Sequence, residues 1–104
     1  MIHDDIRSLL EPPSSGDDAP SLDHIEHMLT EGYARALALE ADRWRVEREI
    51  ANVATRLGDE VTDEDASELA RLGRELSSTD GDLNKLRTLL VALRTRADEV
   101  RTAA

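Results

Sequence analysis

Apolar residues recur at alternating steps of three and four along most of the chain, and this spacing leaves few folds open. They run Leu22, Ile25, Leu29, Gly32, Ala36, Leu39, Arg43, Val46, Ile50, Val53 and Leu57, then resume as Leu69, Leu72, Leu76, Thr79, Leu83, Leu86, Leu90, Leu93, Ala97 and Val100. A seven-residue repeat of this kind is the seam of a coiled coil, in which each helix offers one apolar stripe. The pattern predicts an all-α chain, a long antiparallel two-helix coiled-coil hairpin with helices over about residues 21–57 and 62–102.

Local signals set these ends. Ser21 supplies a side-chain acceptor for the first N–H groups of a helix, with Asp23 in the turn that follows. Gly58 offers the left-handed conformation that closes one. Thr62 followed by Asp65 is a short form of the capping box, and Asp63 and Glu64 lie at the positive end of the second helix dipole. The segment Ser77–Asp82 reads locally as a turn, yet Leu76 and Leu83 keep the seven-residue phase across it, so the second helix is expected to continue.

Setting Val53 against Leu69, Val46 against Leu76 and Leu29 against Leu93 interlocks the two ladders and also opposes their polar members, Arg43 and Thr79. We expect these two to form a polar layer in the seam that fixes register at some cost in stability.

Residues 1–20 are expected to form a flexible acidic arm, leaving 21–104 as the hairpin domain. Glu11–Pro20 holds all three prolines of the chain and favours an extended linker. Before it, Ile2, Ile6, Leu9 and Leu10 fall on one stripe of a short helix over 2–10, an amphipathic segment suited to a partner's groove.

The net charge is −10, from 13 basic and 23 acidic residues. Sequence-independent binding to nucleic acid or to an anionic membrane surface needs the opposite sign, so neither is an expected partner. Most of the charge is local: residues 1–31 hold eight acids and one Arg, and 58–68 hold six acids and no base. The chain has no Cys, no run of apolar residues long enough to span a bilayer, and Asp4 and Asp5 where a signal peptide carries positive charge. A cytoplasmic location is expected.

A two-helix hairpin has one inner face. Tyr33, Leu37 and Trp44 lie beside the seam of the first helix, with Leu89 and Val91 off the seam of the second. We expect these five to cover one another in a homodimeric four-helix bundle, the chain being its own partner. The face also suits a second, different protein.

No nucleophile elbow, phosphate loop or Cys–His pair occurs, so no catalytic residue is assigned and the chain is not expected to be an enzyme. His24, His27 and Glu31 share a helix side, but no matching ligands occur at the far end of the second helix. No metal or cofactor is therefore expected.

These observations favour a small regulatory adaptor acting through protein contacts. An alternative is a ligand-binding helical regulator or enzyme with a dimer-completed pocket around Arg43. A third reading concerns Asp59, Glu60, Asp63 and Glu64 at the tip of the hairpin. In shape alone this tip resembles the carboxylate-bearing coiled coils of Gre-type transcript-cleavage factors. That resemblance implies a factor acting on a larger machine such as RNA polymerase.

Overall fold

The structure, a computed structural model, describes residues 1–58 and 60–103. Among them are three α-helices and no strand: α1 (Ile2–Leu10), α2 (Leu22–Arg56) and α3 (Asp63–Ala103). None is long and apolar enough to cross a membrane.

Helix ends follow the local chemistry. The backbone N–H of His24 donates to Ser21 Oγ at 3.1 Å, capping α2. At the other end Leu57 N–H reaches Ala54 O at 3.4 Å, and Gly58 turns away with φ +40°. The start of α3 is a reciprocal box, with Asp65 N–H donating to Thr62 Oγ1 at 3.1 Å and Thr62 N–H to Asp65 Oδ2 at 3.4 Å. Through Ser77–Asp82 the helix is unbroken.

The chain divides into two compact units, one of Met1–Leu37 with Asn84–Ala104 and one of Ala38–Leu83. In the second, Val46, Val53 and Leu72 are buried, and Ile50, Leu57, Leu69 and Leu76 pack against them. These are ladder residues of α2 and α3. Ion pairs Arg45–Glu75 at 2.9 Å and Arg56–Glu68 at 3.5 Å link the same two helices.

The first unit contains three helical segments. Ile25, Met28 and Ala36 of α2 are buried, as are Leu86, Leu90, Leu93 and Ala97 of α3. The third segment is α1, with Ile6 and Leu9 inside this core. The short helix expected over 2–10 is present, and its apolar stripe packs within this unit. A helix of nine residues with an apolar stripe gains little by standing alone in water and far more by burying that stripe.

Arg96 of α3 fastens the segment. It donates to Leu10 O at 2.5 Å, Pro12 O at 2.7 Å and Ser14 Oγ at 3.0 Å, while Ser14 Oγ donates to Glu99 Oε2 at 2.7 Å. The last carbonyls of any helix lack intrahelical donors, and the guanidinium fork supplies them here.

Candidate functional site

Tyr33 and Leu37, in the first unit, lie about 40° apart around α2, and Trp44 belongs to the second unit. All three are exposed, Tyr33 by 42%, Leu37 by 67% and Trp44 by 63%. The guanidinium of Arg48, one turn beyond Trp44, lies 5.0 Å from the centroid of its ring. An exposed cation–π contact of this kind contributes about 0.5–1 kcal/mol and holds the indole against the helix.

The α3 residues assigned to the same face separate. Val91 is exposed, whereas Leu89 is half-buried and lines a shallow groove with Arg7, Asn84, Lys85 and Thr88. Two residues apart on a helix means about 200° apart around it, so Leu89 and Val91 do not share a surface. Leu89 belongs to the side of α3 that meets α1.

The amphipathic segment Ile2, Ile6, Leu9 and Leu10 is likewise occupied. Ile6 and Leu9 are buried and Ile2 and Leu10 half-buried within the chain's own first unit.

Arg43 and Thr79 do not form the buried layer expected of them. Thr79 is half-buried, and the Arg43 side chain is 42% exposed, with Nε 3.1 Å from Glu47 Oε1 and 3.2 Å from Asp80 Oδ1. A long Arg stem can lie along the seam while its head reaches water, so a seam position does not bury the charge. The hydrogen bond to Glu47, then the charge of Asp80, raises the Arg43 pKa above its ordinary value. Arg45 is raised in the same direction by hydrogen bonds to Glu75 and Glu49. Among the described residues no polar or charged side chain is buried. These pairs are surface ion pairs, screened by the surrounding water.

At the tip, Glu60, Asp63 and Glu64 are exposed, and Asp59 lies outside the described residues. Asp63 and Glu64 occupy the first turn of α3 beside its capping box, where the dipole favours acids. His27 Nε2 lies 3.0 Å from Glu31 Oε1 on the surface. No group of three or more His, Asp or Glu among the described residues is placed to hold a metal ion.

Sequence reasoning did not single out Arg96 or Met28. Arg96 lies one residue from Ala97 of the ladder and carries no motif. Its signal is indirect: the end of α1 and a proline-containing linker leave carbonyls that need a donor.

No protein-family model, curated protein or solved structure matches the chain.

Proposed function

We propose that the protein is a non-catalytic interaction module, a helical hairpin that pairs through the α2 stripe with a second copy of itself. The observation that carries this reading is the exposure of Tyr33, Leu37 and Trp44, large apolar side chains that α2 leaves uncovered. Fully burying side chains of this size contributes about 1.5–3 kcal/mol each, and a two-fold axis doubles the set.

Charge supports the choice of partner. The chain as a whole is at −10, but residues 32–57 hold five Arg against four acids. Bringing two copies together along this stretch therefore meets little net repulsion, whereas contact through residues 1–31 or 58–68 would oppose like charges. Paired in this way, two hairpins form a four-helix bundle, and its outer faces would serve a regulatory adaptor for a further protein.

Solution mass tests the proposal. Light scattering across a concentration series should give twice the mass of the chain at the upper end. Dilution should shift Trp44 emission to the red, and Leu37→Ala with Trp44→Ala should give a helical monomer. A monomer at every concentration, or a dimer indifferent to both substitutions, would overturn it.

A further inference from the structure

Ile6 is fully buried, and its Cδ1 lies 3.5 Å from the point where a Cβ on Gly32 would stand. Leu90 of α3 fills the space that the missing Gly32 side chain leaves, and Ile6 packs beside it. By sequence the two segments are opposite in net charge. Residues 1–18 carry five acids and one Arg, while residues 84–97 of α3 carry four bases and no acid. Two of those bases, Lys85 and Arg96, lie on the stripe of α3 that meets α1 and its linker.

This is the arrangement of an amphipathic helix lying in a groove, with the helix supplied by the same chain. The linker that follows contains three prolines and Gly16 at φ +91°. Each contact described for α1 and for Arg96 is one that an identical segment on another molecule can make equally well. What favours the chain's own segment is its tether, which gives an effective concentration on the order of millimolar.

We propose that the groove beside Gly32 and Leu90, closed by Arg96, is an exchangeable docking site for an acidic amphipathic helix. Its second occupant is α1 of another copy of this chain. Arg96 is the catch: its bonds to Leu10 O, Pro12 O and Ser14 Oγ hold the segment in place. The site is independent of the α2 stripe, and the two fail separately.

The probe is a fluorescein-labelled peptide of residues 1–15, titrated by anisotropy into the full-length protein. Ile6→Asp places a carboxylate in the groove and should expel the chain's own α1. That variant should bind the wild-type peptide about tenfold or more tighter than the wild-type protein does, since the tethered competitor is gone. Adding Gly32→Leu should abolish the gain, and a peptide carrying Ile6→Asp should not bind.

Equal binding by wild type and by a helical Ile6→Asp variant overturns the proposal, as does equal binding of a scrambled peptide. Should Ile6→Asp lose its helical signal, hydrogen exchange on the unaltered protein decides. Exchange of α1 amides through a local opening, well ahead of the Leu72 region and faster still in Arg96→Ala, supports the proposal. Exchange of α1 only with global unfolding overturns it.

Discussion

Replacing Gly32 by Ala should destabilise this protein, although the same change elsewhere in its helices should do the reverse. Alanine within a helix is favoured over glycine by about 0.5–1 kcal/mol, through backbone entropy and propensity. At Gly73 and Gly81 in α3 a Cβ meets nothing within 4 Å, so both substitutions should realise that gain. At Gly32 the added methyl overlaps Leu90 Cδ2 and touches Ile6 Cδ1 at 3.5 Å. Leu90 is itself buried and cannot swing into water. Overpacking a closed site costs about 1–3 kcal/mol, which leaves a net loss of up to about 2.5 kcal/mol against the propensity gain. Urea unfolding followed by far-ultraviolet circular dichroism reads the difference directly. In a thermal melt each kcal/mol moves the midpoint by about 4–8 °C. The reasoning fails if Gly32→Ala is as stabilising as Gly73→Ala, because the close approach of α1, α2 and α3 at that point would then be absent.

Two further outcomes follow from the surface and the caps. Arg43→Leu should leave the urea midpoint nearly unmoved and the mass of the assembly unaltered, since its carboxylate contacts are exposed. A large rise in the midpoint would reinstate a buried polar layer. Thr62→Ala removes the acceptor for Asp65 N–H and should cost about 1 kcal/mol, with faster hydrogen exchange at Asp65. An unchanged unfolding midpoint would refute a role for the capping box.

The ladder made α2 and α3 legible because a repeat with constant phase over many turns has one helical interpretation. Ser77–Asp82 shows phase prevailing over local propensity, since Leu76 and Leu83 pack on the same side whatever lies between them. Arg43 shows the limit of such reasoning. Periodicity gives the position of a Cα on the helix, whereas the fate of a long arginine side chain depends on what lies within its reach, here Glu47 and Asp80. The packing of α1 was not legible for a related reason. Composition marks Glu11–Pro20 as non-helical, but it says nothing about whether a segment before it folds back. That outcome depends on Gly32 and Arg96, both far from the arm in sequence. Leu89 became half-buried through the same event.

The two aromatic residues of the chain fall one to each compact unit, Tyr33 in the first and Trp44 in the second. With no Phe and no second Trp or Tyr, ultraviolet spectra of this protein resolve into two reporters that need no labelling. Tyrosine absorbance follows the unit that holds α1, and indole emission follows the unit built on Val46, Val53 and Leu72. Melting curves recorded at the two signals will coincide if the chain unfolds in a single step. They will part if the α1 end loosens first.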